Sequence, residues 1–193
     1  MNLPTQLTVG RIVLTFGVMA LVFIPGAPAK LAALVLFSAA AATDWLDGYL
    51  ARKYGQVSAL GILLDPIADK VLVLGMLLAF VQLELVRAWM VLVILIRELL
   101  ITSARLYSTR HHIVIPASTE GKQKAVSQMA TIILVLLLLV ARELVPAKMV
   151  IDFEPAMMRI ILLAMWVTVI LTVISGAGFF WRNRSVLLHA TTR

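Results

Sequence analysis

The sequence contains no cysteine and few charged residues. Without cysteine, neither a disulfide framework nor a thiolate metal centre is available to the chain. Only 14% of the 193 residues are charged, and 62% are hydrophobic, whereas soluble domains average about a quarter charged residues. This composition argues against an ordinary soluble domain. It predicts an integral membrane protein, folded as a single domain over residues 1–193.

The chain also lacks the features of a nucleic-acid-binding protein, although its net charge is +7. There is no Lys/Arg-rich tail and no interleaving of aromatic with basic residues. The basic residues are instead distributed around apolar segments, as expected for a membrane protein with positively charged cytoplasmic loops. We therefore expect the lipid bilayer, and no nucleic acid, as a partner.

Six apolar segments have the length of about 20 residues that a helix needs to cross a bilayer. The sequence thus predicts an all-α fold, a bundle of six transmembrane helices. The Leu-rich run "ILVLLLLVA" in the fifth segment suggests a helix that faces lipid. The predicted segments are residues 7–24, 31–52, 61–83, 88–109, 124–143 and 157–180, with a final loop over "ELVPAKMVIDFEP".

The positions of the basic residues predict the orientation of the bundle. If both termini are cytoplasmic, the loops on the cytoplasmic side hold most of the lysine and arginine residues outside the spans, as the positive-inside rule requires. The connection between the second and third helices then also faces the cytoplasm. We expect a multi-pass protein of the cytoplasmic (inner) membrane, with that connection on the cytoplasmic side.

Four aspartates lie in the stretch "TDWLDGYLARKYGQVSALGILLDPIADK", at the borders of two apolar segments. Asp44 and Asp47 are three positions apart, and Asp65 and Asp69 are four positions apart, so each pair lies on one face of a helix. Charged residues in a membrane span are expensive and rarely idle. An antiparallel arrangement of the two helices would bring the two faces together.

Converging carboxylates repel one another unless cations lie between them. Oxygen ligands suit Mg²⁺ or Mn²⁺, and no histidine or cysteine is nearby to favour zinc. Arg52 could contact an anionic ligand held by the metals, and a two-metal site of this kind suits phosphoryl transfer. Two other interpretations remain open: ordinary helix-end aspartates, and a divalent-cation transporter, although a transport site should lie near the bilayer midplane.

The residues at fixed positions in this stretch read Asp44-x2-Asp47-Gly48-x2-Ala51-Arg52-x8-Gly61-x3-Asp65-x3-Asp69. This pattern resembles the signature of the CDP-alcohol phosphatidyltransferase family, with every fixed position filled. The resemblance implies a six-helix membrane enzyme that moves a phosphatidyl group from CDP-diacylglycerol to an alcohol and releases CMP. It further implies a role for each motif residue: two divalent ions (Mg²⁺ or Mn²⁺) held by Asp44, Asp47, Asp65 and Asp69, with Asp69 also the general base, and CDP contacts from Gly48, Ala51, Arg52 and Gly61.

Three further stretches look like the branch of that family whose acceptor is glycerol 3-phosphate. They are "NLPTQLTVGRI", "IRELLITSAR" and "GKQKAVSQM", although Ala125 stands where that branch has a threonine. The resemblance covers most of residues 2–130. It implies glycerol 3-phosphate and CDP-diacylglycerol as substrates, and we also expect a homodimer. The basic and polar residues expected to bind the acceptor phosphate are Thr8, Arg11, Arg105, Arg110, Lys122 and Lys124.

The acceptor is less strongly indicated than the chemistry. A phosphorylated acceptor needs basic partners, so the cytoplasmic lysines and arginines favour glycerol 3-phosphate or inositol phosphate. The other family acceptors considered are serine and, as in a cardiolipin synthase, phosphatidylglycerol. Arg97 and Glu98 lie well inside an apolar segment, where a structural ion pair is an alternative to a role in binding.

Overall fold

The computed structural model describes the backbone of residues 3–54, 59–110 and 119–190, and within these ranges the side chains of residues 9–42, 68, 70–108, 121, 123–146 and 148–184. All the secondary structure in these ranges is helical, which confirms the all-α prediction. Six helices follow one another along the chain: α1 (Leu3–Phe23), α2 (Ala27–Tyr54), α3 (Ala59–Gln82), α4 (Ala88–Arg110), α5 (Thr119–Leu144) and α6 (Ala147–Ala190).

The last helix is much longer than the sequence predicts. Residues 144–156 were expected to form a loop, but α6 begins at Ala147 and runs for 44 residues, with Pro155 inside it. Pro146 precedes the helix and its carbonyl accepts a hydrogen bond from the Met149 amide (2.8 Å). An ion pair between Arg142 and Glu154 further ties the start of α6 to the end of α5. At 1.5 Å per residue, α6 is about 66 Å long and must extend beyond a hydrocarbon layer of about 30 Å.

The outer surface of the bundle is apolar, as in a membrane protein. Leu163 and Val167 of α6, Phe16 of α1 and Leu92 of α4 are all more than half exposed. In water, so many exposed large apolar side chains would be unfavourable, whereas in a bilayer they face lipid. Two helical segments, Gln123–Leu144 and Lys148–Arg184, are long and apolar enough to cross a membrane, and shorter apolar segments occur at Val9–Phe23, Ala27–Ala42 and Lys70–Gln82.

The core lies between helices that are mostly distant in sequence. Helix α1 packs against α2 and α3, α5 packs against α2 and α6, and α4 packs against α6. Ile132, Val135 and Leu136 of α5 are fully buried. The prediction that the Leu-rich run faces lipid was therefore wrong for most of its residues. In a membrane the lipid-facing and core-facing sides of a helix are equally apolar, so hydrophobicity alone does not distinguish them.

The turn between α1 and α2 is attached to the end of α5. Gly26 has a φ of 102°, in the left-handed region that glycine adopts without steric cost. Its amide donates a hydrogen bond to Oε2 of Glu143 (3.1 Å). The Lys30 ammonium donates to the carbonyls of Val22 and Ile24 near the end of α1, where a cation complements the helix dipole. These contacts define one end of the bundle, called here the opposite end.

We predict that Gly75→Leu destabilises the fold because α1 and α3 cross closely at this residue. A Cβ atom at Gly75 would lie 3.0 Å from Sδ of Met19 and 3.1 Å from Cγ2 of Thr15. Overpacking of this kind typically costs about 1–3 kcal/mol, so the melting temperature in detergent should fall. Gly17→Leu is the matched control, since its Cβ would meet nothing within 4 Å. Equal melting temperatures for the two variants would contradict close packing at Gly75.

Candidate active site

The aspartate motif lies on two consecutive helices. Asp44 and Asp47 are in α2, and Asp65 and Asp69 are in α3, so the helical spacing that places each pair on one face applies to both. Gly48, Ala51 and Arg52 are also in α2, and Gly61 is in α3. The side chains of these eight residues lie outside the described part of the structure. Their predicted roles in metal and CDP binding therefore stay predictions.

The two aspartate pairs lie at matching distances from the connection between α2 and α3. Asp47 is seven residues before the end of α2 at Tyr54, and Asp65 is six residues after the start of α3 at Ala59. Asp44 and Asp69 are each ten residues from the same helix ends. With a rise of 1.5 Å per residue, antiparallel helices would place Asp47 level with Asp65 and Asp44 level with Asp69. Four carboxylates at two matched levels are a suitable donor set for hard divalent cations.

Next to this motif, charged and polar side chains of four helices meet. Lys70, which follows Asp69 in α3, donates a hydrogen bond to Oγ1 of Thr102 in α4. Glu98 in α4 forms an ion pair with Lys124 in α5. Arg97 donates to Glu98 (3.1 Å) and to Oγ of Ser175 in α6 (2.6 Å). This group is called the polar cluster below, and its end of the bundle is called the motif end.

A small cleft opens among α3, α4 and α5 at the polar cluster. Its polar lining consists of Lys70, Glu98, Lys124 and Gln128, and its apolar lining consists of Val73, Leu74 and Ile94. Gln128 is only 3% exposed, and its Nε2 has no hydrogen-bond partner among the described residues. A buried amide donor without a partner is costly. The lining carries two ammonium groups and one carboxylate, a net positive charge that suits an anion.

The structure brings one of the predicted acceptor residues to this cleft. Lys124 lines it and is 6% exposed. Arg105 lies on the same face of α4 as Glu98, seven positions later, but its guanidinium stacks over the Phe179 ring of α6 at 5.7 Å. Arg11 in α1 is 4% exposed. The side chains of Thr8, Arg110 and Lys122 lie outside the described residues.

The alternative interpretation of Arg97 and Glu98 as an ion pair is confirmed in its geometry, since their side chains are 3.1 Å apart and each is 13% exposed. The sequence did not indicate that Lys124 shares the Glu98 carboxylate. It also did not single out Lys70, Thr102, Ser175 or Gln128. The available signals were a lysine inside an apolar segment directly after the last motif aspartate, and a glutamine inside an apolar helix, since polar residues in spans are usually functional.

No group of three or more metal-ligating side chains occurs among the residues whose side chains are described. The aspartates of the motif are not among those residues.

The family model for CDP-alcohol phosphatidyltransferases matches residues 1–181. The chain belongs to the CDP-alcohol phosphatidyltransferase family. Membership confirms the resemblance drawn from the aspartate motif, and it extends the resemblance past residue 130 to include α5 and most of α6. The residues of the polar cluster on α5 and α6 therefore lie within the part of the chain that matches the family.

Several bacterial members of the CDP-alcohol phosphatidyltransferase family are similar over nearly the whole chain. A CDP-diacylglycerol–glycerol-3-phosphate 3-phosphatidyltransferase of Bacillus subtilis is 38% identical over 96% of this chain and 97% of its own length. One from Rickettsia bellii is 32% identical over 93% of both chains. One from Pseudomonas fluorescens is 42% identical, over 54% of this chain and 55% of its own length.

Proposed function

We propose that this protein is a membrane enzyme that transfers a phosphatidyl group from CDP-diacylglycerol to glycerol 3-phosphate, giving phosphatidylglycerophosphate and CMP. The observation that carries the proposal is the similarity, over nearly the full length of both chains, to relatives named for this reaction. The filled aspartate motif supports the chemistry, and the positively charged cleft supports a phosphorylated acceptor. The reaction is a step of phospholipid biosynthesis.

In this reaction a hydroxyl oxygen of the acceptor forms a bond to the phosphorus that carries the diacylglycerol. The bond from that phosphorus to the oxygen of CMP breaks, and CMP leaves with the bonding electron pair. Asp69 accepts the proton from the attacking hydroxyl, which makes the oxygen a better nucleophile. Gly48, Ala51 and Gly61 allow the nucleotide to approach the helix backbones closely, and Arg52 contacts its phosphates.

Family membership implies dependence on a divalent cation. We propose that Asp44, Asp47, Asp65 and Asp69 hold two such ions, Mg²⁺ or Mn²⁺. The matching levels of the two aspartate pairs along α2 and α3 support this proposal, as does the all-oxygen donor set. Bound ions would neutralise the pyrophosphate and stabilise the charge that develops on the leaving CMP. The same carboxylates would otherwise repel one another.

We further propose that all six helices cross the cytoplasmic membrane, with both termini and the active site on the cytoplasmic side. The positive-inside distribution supports this orientation. Arg182 and Arg184 follow the apolar part of α6, and Lys70 and Lys124 lie at the motif end. A water-soluble acceptor could reach the cleft from that side. We also propose that the enzyme forms a homodimer and that residues 1–193 make one domain.

Release of CMP from CDP-diacylglycerol by the purified protein tests the proposed reaction. The assay should compare glycerol 3-phosphate with inositol phosphate, serine and phosphatidylglycerol as acceptors, and should identify the lipid product. We expect CMP release and phosphatidylglycerophosphate formation only with glycerol 3-phosphate. Preference for another acceptor would keep the chemistry and change the substrate. No CMP release with any acceptor, together with divalent-cation flux in liposomes, would favour the transporter alternative.

We predict that Lys122→Ala or Arg105→Ala raises KM for glycerol 3-phosphate and leaves KM for CDP-diacylglycerol nearly unchanged. Both residues lie outside the nucleotide motif, and each charge-assisted hydrogen bond to the phosphate is worth about 1.5–3 kcal/mol. Acceptor use should therefore weaken by about tenfold to a hundredfold. If the phosphate contact also aligns the hydroxyl, kcat falls as well.

Lys148→Ala is the matched control for the acceptor prediction, because Lys148 is exposed and lies at the start of α6, at the opposite end of the bundle. It should leave both KM values unchanged. Equal losses for the two substrates in Lys122→Ala would place this lysine near the pyrophosphate. For Arg105, which stacks on Phe179, a lowered melting temperature with normal KM values would indicate a role in packing.

A further inference from the structure

Glu98 is the carboxylate at the centre of the polar cluster. It is 13% exposed, and its Oε1 atom contacts two cations from different helices, Arg97 in α4 and Lys124 in α5. Arg97 in turn is anchored to α6 by its hydrogen bond to Ser175 (2.6 Å). The polar chain Ser175–Arg97–Glu98–Lys124 thus links three helices and ends at an ammonium group that lines the cleft.

A lysine side chain has four rotatable bonds, so a buried ammonium needs a partner to stay in one position. The Glu98 carboxylate is such a partner, and Lys124 is only 6% exposed. An ammonium has three N–H donors, so the contact with one carboxylate oxygen leaves donors for a second anion. The ion pair therefore orients Lys124 without using all of its hydrogen-bonding capacity.

The charge around the cleft also argues against a purely structural ion pair. Arg97, Lys124 and Lys70 are three cations near one carboxylate. A pair that only joins two helices would be neutral, since a surplus of buried charge destabilises a fold. Here a positive charge remains in a cleft that also holds the unpaired amide of Gln128, one residue after the motif aspartate Asp69 along α3. That surplus fits an anionic ligand.

We propose that Glu98 is a positioning residue for the acceptor: its carboxylate, braced by Arg97 and Ser175, holds the Lys124 ammonium in the cleft where the acceptor phosphate binds. This inference rests on the proposed role of Lys124 in acceptor binding. Glu98 itself does not contact the substrate, because a carboxylate repels a phosphate dianion. Its effect is transmitted through Lys124 alone, so the two residues should act as one unit.

The test is the steady-state kinetics of the full-length enzyme in detergent micelles that contain CDP-diacylglycerol, with glycerol 3-phosphate as the acceptor. Glu98→Gln should raise KM for glycerol 3-phosphate by about tenfold, the loss of one charge-assisted contact, with KM for CDP-diacylglycerol unchanged. Lys124→Ala should raise the same KM at least as much. The double variant should have the KM of Lys124→Ala, because Glu98 has nothing left to position.

Two further variants separate positioning from folding. Glu98→Asp keeps the charge but shortens the side chain by one methylene, so it should fold normally and still raise KM for glycerol 3-phosphate. Glu154→Gln is the matched control, since Glu154 forms an ion pair with Arg142 at the opposite end of the bundle and should leave KM unchanged. Melting temperatures of all variants identify any loss of the fold.

Additive effects of Glu98→Gln and Lys124→Ala on KM would overturn the proposal, as would a normal KM in Glu98→Asp. If Lys124→Ala leaves KM for glycerol 3-phosphate unchanged while CMP is still released, then Lys124 does not bind the acceptor, and the positioning role fails while the proposed reaction stands. Absence of CMP release in the wild-type protein would instead remove the proposed function itself.

Discussion

Asp69→Asn is expected to abolish phosphatidyl transfer while CDP-diacylglycerol still binds. Asparagine keeps the shape and one oxygen ligand of aspartate, but its amide does not accept the proton of the acceptor hydroxyl. General-base catalysis contributes about 10²–10⁴-fold, and the substitution also removes one negative charge from the proposed metal site. We therefore expect kcat to fall by at least about a thousandfold. The measurements are CMP release for turnover and a titration of CDP-diacylglycerol for binding.

Asp152→Asn is the control for Asp69→Asn. Asp152 is an exposed aspartate in the first turns of α6, at the opposite end of the bundle. It should leave kcat unchanged, because it is remote from the motif. Activity of Asp69→Asn within about tenfold of wild type would be too high for the loss of a general base and would remove this assignment. Loss of CDP-diacylglycerol binding in Asp69→Asn would indicate that its main role is to hold the ions that bind the nucleotide.

The helical nature of the aspartate motif could be predicted from the sequence because helical periodicity is a local property. Asp44 and Asp47, like Asp65 and Asp69, are close in the chain, and once each pair lies in a helix its common face follows from 3.6 residues per turn. The structure places both pairs in helices, at matching distances from the connection between α2 and α3. That match depends only on the helix ends, which apolar length predicts well for α1 to α5.

The polar cluster could not be predicted in the same way, because its contacts join residues that are distant in the chain. Arg97 and Ser175 are 78 positions apart, and the sequence does not state which helix faces α4 at that level. A pairing of Arg97 with its neighbour Glu98 was an evident alternative. The contact of Glu98 with Lys124 depends on the packing of α4 near α5, which no single-sequence pattern reveals.

The start of α6 shows how local signals can mislead. Two prolines and the acidic residues Asp152 and Glu154 are typical of a loop. In the structure Pro146 precedes the helix, and Pro155 is accommodated inside it. Proline at the start of a helix causes no loss of hydrogen bonding, and Glu154 is paired with Arg142 of α5. Contacts between α5 and α6 therefore outweigh the local preference of this segment.

Removal of divalent cations is expected to eliminate activity completely and reversibly. Four carboxylates without a nitrogen or sulfur ligand favour Mg²⁺ or Mn²⁺ over zinc. Without ions, the negative charge of the pyrophosphate is not neutralised and the aspartates repel the substrate. After treatment with a chelator and its removal, CMP release should be undetectable, and Mg²⁺ or Mn²⁺ should restore it. The matched control is the addition of the same concentration of a monovalent salt, which should restore nothing.

A readout independent of turnover comes from thermal unfolding of the chelated protein. Because the ions would bind the folded state and relieve repulsion among the aspartates, added Mg²⁺ or Mn²⁺ should raise the melting temperature in a concentration-dependent way. At a hundred times the dissociation constant, ligand binding stabilises a fold by about 2.7 kcal/mol. Asp44→Asn should weaken this shift, since it removes one charged ligand, whereas Asp152→Asn should preserve it. Full activity after exhaustive chelation, or the same thermal shift in Asp44→Asn as in wild type, would contradict a metal site built from the four aspartates.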